Sequence, residues 1–139
     1  MDGKMTEHPQ FDKFIVRTYD ETFSLLEEAR DYSTFNWTVD VRRSLPDSDA
    51  TAINRELLRL TTRLGEMLAW LMVHKAVAPG KITLEQALAD QYRLSQKELC
   101  LKDGRTRGVK WPQRLNVMLE RSRELYSRVL KMDQMAARL

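Results

Sequence analysis

The sequence contains little that could support redox, metal or phosphate chemistry. It has a single cysteine, Cys100, so no disulfide can form within the chain. The two histidines, His8 and His74, belong to no Glu-x-x-His pair and to no cysteine–histidine cluster with zinc spacing. No glycine-rich phosphate loop is present. We therefore predict no cofactor, no metal site and no catalytic residue, and we expect a protein that is not an enzyme.

Proline and glycine are also scarce, with four and five residues, and they cluster between long segments of apolar periodicity. The longest unbroken apolar run, residues 67–73, is too short to span a bilayer. Residues 1–10 lack the apolar core of a signal peptide. These absences predict a cytoplasmic protein with a flexible leader over residues 1–10 and one domain over residues 11–139.

Charge of one sign is not in large excess, although the sequence pI is about 9.1. The formal net charge of +3 comes from 23 basic residues against 20 acidic ones, and the two signs are mixed along the chain. Proteins held by phosphate contacts usually concentrate basic residues on one face. The global charge therefore gives no support for a nucleic-acid partner.

What the sequence does contain is three long segments in which apolar residues recur at steps of three and four. This spacing places them on one face of a helix. The segments cover about residues 12–33, 49–78 and 112–135. We therefore predict an all-α fold, a three-helix bundle, with a short helix and a loop between the second and third helices.

The segments between the long helices carry turn and capping signals. Residues 34–48 are expected to form a connection that Trp37 and Val39 anchor on the bundle, with Ser48 or Asp49 as the next helix cap.

Farther along the chain, Thr83 and Gln86 match a capping box, which predicts a short helix over residues 83–92. Ser95 begins a second, weaker capping signal, and residues 101–110 are expected to be an exposed loop.

The second helix is apolar on more than one side, because Leu58, Trp70, Met72 and Val73 lie outside its main heptad stripe. Two partner helices in a small bundle do not cover such a helix completely. We expect Trp70, Met72 and Val73 to lie in a homodimer interface.

Two buried-type residues and one row of arginines are candidates for chemical sites. His74 and Cys100 fall among apolar neighbours, which favours packed side chains over a ligand or nucleophile. Arg55, Arg59 and Arg63 step by four along the second helix and are expected to border its apolar stripe. Arginines inside a helical bundle can hold a dicarboxylate, as in small helical mutases. Arg17 together with Arg55, Arg59 and Arg63 could serve this role, so a small enzyme remains an alternative.

A basic turn with one aromatic residue is the best argument for nucleic acid. Arg105, Arg107, Lys110 and Arg114 surround Trp111, and such groups can hold a single strand. A solvated loop, with Trp111 packed at the helix start, is favoured over this nucleic-acid alternative. For protein partners we select residues expected to be exposed: Arg105, Arg107, Lys110, Arg128, Met132, Met135 and Arg138.

Several stretches resemble the regulator of CtrA degradation (RcdA) family of alphaproteobacteria. They are LLEEA at 25–29, RLTTRL at 59–64, AWL at 69–71, KAV at 75–77 and GKIT at 80–83. Looser agreement extends from about Tyr19 to Met132.

The resemblance implies a homodimeric three-helix bundle without enzymatic activity. It implies an adaptor for the ClpXP protease that acts with the response-regulator adaptor CpdR on cargo such as the transcription factor CtrA. Well-known members carry a tail beyond the third helix, whereas this sequence ends at Leu139. We therefore expect partner contacts to fall on residues 132–139 or on the loop at 101–110.

Overall fold

The computed structural model describes residues 8–139, and within that range the chain is helical and contains no β-strand. Its six α-helices are α1 Pro9–Asp31, α2 Val39–Arg43, α3 Asp47–Lys75, α4 Leu84–Ala87, α5 Lys97–Leu101 and α6 Gln113–Ala136. A π-helical turn, Tyr32–Asn36, extends α1, and a 3₁₀ turn, Asp90–Tyr92, follows α4. The all-α class is confirmed, and α1, α3 and α6 match the three long helices of the sequence prediction.

Helix α1 begins earlier than its apolar periodicity indicated. Pro9 stands in its first turn, where the missing proline N–H costs nothing because first-turn N–H groups lack helical partners. Pro9 and Gln10 therefore belong to α1, and His8 is its N-cap residue. The rest of the predicted leader, residues 1–7, lies outside the described residues. The buried face of α1 consists of Phe11, Ile15, Thr18, Thr22, Leu25 and Ala29.

The connection between α1 and α3 is more ordered than a loop. Trp37 is buried, and its indole Nε1 donates a hydrogen bond to Asn54 Oδ1 at 3.3 Å. The Thr38 side chain caps α2 by accepting a hydrogen bond from the Val41 N–H. The expectation that Trp37 anchors the connection is confirmed, but Val39 is 47% exposed and does not.

Helix α3 begins and ends two or three residues before the predicted positions. Pro46 occupies the N-cap position without a side-chain cap, so neither Ser48 nor Asp49 serves as the cap. Asp47 and Asp49 lie in the first turn instead, where their negative charge complements the helix dipole. At the other end Gly80 has a φ of 81°, which glycine adopts without strain.

The segment between α3 and α6 contains both a confirmed and a wrong capping prediction. Thr83 and Gln86 form the expected capping box at the start of α4, although that helix ends at Ala87. Ser95 does not cap α5. The N-cap residue is Gln96, which has a left-handed φ of 54° and makes no side-chain cap hydrogen bond. The Ser95 hydroxyl donates instead to the Glu66 carboxylate.

The core lies where α1, α3 and α6 meet. It is built from fully buried apolar side chains that include Leu25, Leu60, Leu64, Met67, Leu71, Leu115 and Val129. Two ion pairs show that α1 and α6 run antiparallel, because Glu28 pairs with Arg121 and Glu21 pairs with Arg128. Within residues 8–139, none of the helices combines the length and the apolarity that crossing a membrane requires.

Candidate functional site

Arg63 is fully buried in the core of the bundle. Its spacing had predicted a position at the border of the apolar stripe. Its guanidinium donates to the carbonyls of Cys100 at 2.6 Å and Lys102 at 3.2 Å, and to Ser122 Oγ at 2.7 Å. Burial lowers the pKa of Arg63 to about 10, which leaves the group protonated at neutral pH. Its hydrogen bonds therefore join α3 to α6 and to the residues at the end of α5.

Two further arginines bind the same end of α5. Arg59 Nη1 donates to the Leu99 carbonyl at 3.3 Å, and Arg123 Nε donates to the Leu101 carbonyl at 3.2 Å. The last carbonyls of a helix have no partners within the helix, and cations near them interact favourably with its dipole. Two of the arginines considered for substrate in the enzyme alternative, Arg59 and Arg63, thus bind backbone carbonyls at the end of α5.

Glu56 and Arg59 form an ion pair of 3.1 Å on the side of α3 that faces Gly104. Glu56 is only 2% exposed. A Cβ added at Gly104 would lie 2.9 Å from Glu56 Cδ and 3.0 Å from Arg59 Nε. Glycine at position 104 therefore allows the backbone to approach this buried pair.

The basic turn before α6 is largely occupied by its own contacts. Arg105 binds both oxygens of Asp103 at 2.9 Å and also Asn116 Oδ1 at 3.1 Å. The hydrogen bond from Arg105 lowers the pKa of Asp103 to about 2. Trp111 Nε1 donates to the Thr106 carbonyl at 3.0 Å, so the indole packs on the turn before α6.

The turn therefore does not present its cations as one patch. Arg107 and Lys110 are exposed, whereas Arg105 is directed toward α6. Arg114 donates to Asn36 Oδ1 at 3.0 Å and thereby joins α6 to the connection after α1.

His74 is buried between two aromatic rings. Its ring centroid lies 4.0 Å from that of Trp70 and 6.1 Å from that of Phe11. Burial lowers the pKa of His74 to about 4, although the Asp133 charge acts in the opposite direction. The expectation of a packed histidine is confirmed.

Trp70 is 2% exposed and belongs to the core, so it is not available as the dimer-interface residue that we expected. Its Nε1 donates to Asp133 Oδ1 at 2.9 Å, and Arg93 Nε donates to the same oxygen at 2.8 Å. Val73 is half-buried near Arg93, on the side of α3 that lines a cavity of about 240 Å³. Only Met72, which is 58% exposed, offers a large apolar surface.

Cys100 is buried as expected, and burial raises the pKa of its thiol. A thiol with a raised pKa is a poor nucleophile. Among the described residues, no group of three or more His, Cys, Asp or Glu side chains is arranged to hold a metal ion.

Four exposed large apolar side chains, Val16, Phe23, Leu58 and Met72, lie on the outer side of the α1–α3 pair. We call this surface the α1/α3 face; it comprises Val16, Tyr19, Phe23, Leu26, Leu58, Thr61, Gly65, Leu68 and Met72. Leu58 is 65% exposed, Phe23 is 44% exposed, and Gly65 has open space where a Cβ would stand. The Lys75 ammonium lies 4.2 Å from the Tyr19 ring centroid and joins the two helices at one end of this face.

A second surface lies between α1 and α6. We call it the α1/α6 groove; it has a volume of about 500 Å³, and its lining residues are Phe11, Phe14, Arg17, Thr18, Glu21, Arg128, Lys131, Met132 and Met135. Met132 is 5% exposed and forms part of the floor, with the Thr18 hydroxyl 3.9 Å from its sulfur.

The groove unites three of the residues selected from the sequence as partner-binding, namely Arg128, Met132 and Met135. The other selected residues lie elsewhere, because Arg105, Arg107 and Lys110 belong to the turn before α6. Arg138 is exposed just after α6. Phe14 and Lys131 were not predicted as site residues, and Arg17 was considered only for the enzyme alternative, because nothing in the sequence shows which sides of α1 and α6 flank the same groove.

These observations define a helical bundle in which buried Arg63 and Trp70 hydrogen-bond to other helices, and in which apolar side chains are exposed on the α1/α3 face and in the α1/α6 groove. The chain belongs to the family described as Protein of unknown function (DUF1465), which matches residues 6–138. No curated protein and no solved structure matches the chain.

Proposed function

We propose that this protein is a non-catalytic adaptor that acts in the cytoplasm by binding other proteins. The observation that carries the proposal is the α1/α3 face, where Leu58 and Met72 are each more than half exposed beside Phe23. Large contiguous apolar surfaces on a folded domain usually mark interaction sites. An adaptor needs such surfaces and needs no reactive group.

The more specific role that we propose is the tethering of cargo, such as CtrA, to the ClpXP protease together with the response-regulator adaptor CpdR. The support is the resemblance of residues 25–29, 59–64, 69–71, 75–77 and 80–83 to the RcdA family. A tether makes cargo capture partly intramolecular, so the effective concentration of cargo at the protease rises without new chemistry.

We further propose that two copies of the chain associate through the α1/α3 face. Two helices from each copy would then form a four-helix contact with twofold symmetry. Gly65 supports this arrangement, because a helix surface without a side chain lets another helix approach closely. Met72 keeps its assignment as a dimer-interface residue in this proposal. Trp70 is buried in the core, and Val73 lies on another side of α3, beside the cavity near Arg93.

The test is a reconstituted degradation assay with purified ClpXP, CpdR and candidate cargo that includes CtrA. We expect cargo loss to be faster with this protein, and to require CpdR as well. Met72→Glu, which places a charge on the α1/α3 face, should reduce the effect, while Val117→Glu at an exposed apolar position of α6 serves as the matched surface control.

An unchanged rate across all cargo would reject the proteolysis role. Steeply salt-dependent binding to a mixed oligonucleotide would favour the nucleic-acid alternative through Arg107 and Lys110.

A further inference from the structure

The outer seam between α1 and α6 has a regular pattern of opposed side chains. Arg121 binds Glu28 at 2.6 Å, and one heptad farther along both helices Arg128 binds Glu21 at 3.2 Å. These two pairs link the helices across their solvent-facing edge. Because both helices repeat every seven residues along the seam, the next pair of facing residues lies seven positions before Glu21 on α1 and seven positions after Arg128 on α6.

At the next heptad step the charged pair is replaced by Phe14 on α1 and Met135 on α6. Each of these side chains is 45% exposed, and both line the α1/α6 groove. Phe11 and Met132 are buried beneath them. The ion pairs along the seam therefore give way to the apolar α1/α6 groove near the start of α1 and the end of α6.

The edges of the α1/α6 groove carry positive charge. Arg17, Arg128 and Lys131 line it against a single carboxylate, Glu21, and that carboxylate is paired with Arg128. Within residues 8–139, neither Arg17 nor Lys131 has a carboxylate partner. Two cations thus flank the exposed Phe14 and Met135 side chains without the acidic partners that the rest of the seam supplies.

We propose that the α1/α6 groove binds one amphipathic helix of a partner protein, with apolar residues against the groove and Asp or Glu along its edges. A helix satisfies its own backbone hydrogen bonds, whereas an extended peptide would find no strand edge here to pair with. The groove extends from Phe11 to Glu21, about 15 Å along α1, which corresponds to about three turns of the bound helix.

The thioether side chains at the floor suit such a ligand, because methionine adapts its shape to different apolar partners. The groove also stays accessible in the proposed dimer. Phe14, Arg17 and Glu21 each stand two residues from Val16, Tyr19 and Phe23 of the α1/α3 face, which is about 200° around the helix.

This inference goes beyond the adaptor role, because it assigns a second surface and a partner chemistry. The experiment measures fluorescence anisotropy of labelled 14-residue peptides titrated with the purified full chain. One designed peptide carries Leu at i, i+4, i+7 and i+11 with Glu on its flanks. A second has Lys in place of every Glu, and a third has the acidic composition in scrambled order.

We expect the acidic helix to bind at least about tenfold more tightly than either control peptide in 50 mM salt, and its affinity to fall as salt rises. Met135→Glu and Arg17→Glu should each weaken it about tenfold or more. The matched controls are Met72→Glu and Arg30→Glu, which make the same changes outside the groove and should alter affinity less than twofold.

Equal binding of the acidic and basic peptides, no saturation up to 1 mM protein, or full affinity in Met135→Glu would each overturn the inference. A halved mass for Met135→Glu in light scattering would instead show that a second copy occupies the groove, and would also overturn it. The peptide titration uses only the chain and synthetic peptides. A negative result would therefore reject helix binding in the groove and would leave the proteolysis role to the degradation assay.

Discussion

At the scale of single residues, Arg63 connects α3 to α5 and α6 by donating to two backbone carbonyls and one hydroxyl. We expect Arg63→Met to lower the free energy of unfolding by about 3 kcal/mol, because these buried acceptors lose their donors. Urea denaturation followed by circular dichroism measures the change. Arg55→Met, on the exposed side of the same helix, should change it by less than about 0.5 kcal/mol. Equal effects of the two substitutions would contradict the anchoring role.

The buried His74 ring should make the free energy of unfolding depend on pH. Burial lowers its pKa to about 4 from the 6.5 of an exposed histidine, so between these values the unfolded chain binds a proton that the folded chain does not. Stability contributed by the neutral ring is therefore present above pH 6.5 and declines as pH falls toward 4. The expected loss between pH 7 and pH 5 is about 2 kcal/mol.

His74→Phe tests this prediction, because phenylalanine keeps an aromatic ring between Phe11 and Trp70 and cannot be protonated. Asp133 and Arg93, the charges near the ring, are unchanged in the variant. Urea unfolding at pH 5, 6 and 7 should show a smaller pH dependence in the variant than in the wild type. Parallel pH profiles would mean that other groups cause the decline.

The burial of Arg63 and Trp70 could not be predicted from the sequence. Both residues have polar partners far away in the chain, Arg63 at Ser122 and Trp70 at Asp133. A polar side chain can enter a core when such partners satisfy it. Periodicity identifies a helix face but carries no information about hydrogen bonds supplied by other helices.

At the scale of elements, replacing two glycines in different surroundings by alanine should change the free energy of unfolding in opposite directions. Gly65 is in the middle of α3 with open space at its Cβ position. In the Met72→Glu background, where we expect a monomer, Gly65→Ala should raise the free energy of unfolding by about 0.5–1 kcal/mol through helix propensity. Gly104→Ala should lower it by about 1–2 kcal/mol, because its Cβ displaces the buried Glu56–Arg59 pair. Urea unfolding of both variants checks the signs, and two changes of the same sign would contradict this account.

The long helices were predictable because each presents an apolar stripe over six or more turns, and only their ends moved by one to three residues. Helix α2 was missed because five residues are too few for periodicity to appear. Helix α5 was missed because it depends on arginines of α3 and α6 that bind its last carbonyls. The α1/α6 groove could not be predicted as a unit, because its existence depends on how two helices pair across the bundle.

At the scale of the whole molecule, the α1/α3 face predicts a dimer. Light scattering behind a sizing column at tens of micromolar should give about twice the 16.3 kDa mass of the chain. Met72→Glu should reduce that mass to the monomer value, because a charge on the exposed apolar face is costly to bury. A wild-type monomer under these conditions would count against the dimer.

The antiparallel pairing of α1 with α6 has a consequence for how the molecule can be handled. The first turn of α1 and the last turn of α6 lie at the same end of the bundle, beside Phe11 and Met135 of the groove. A purification tag or fluorophore fused after Leu139 would therefore emerge next to the groove. A label at Lys97 on the exposed side of α5, or cleavage of the tag before titration, keeps that end of the bundle clear.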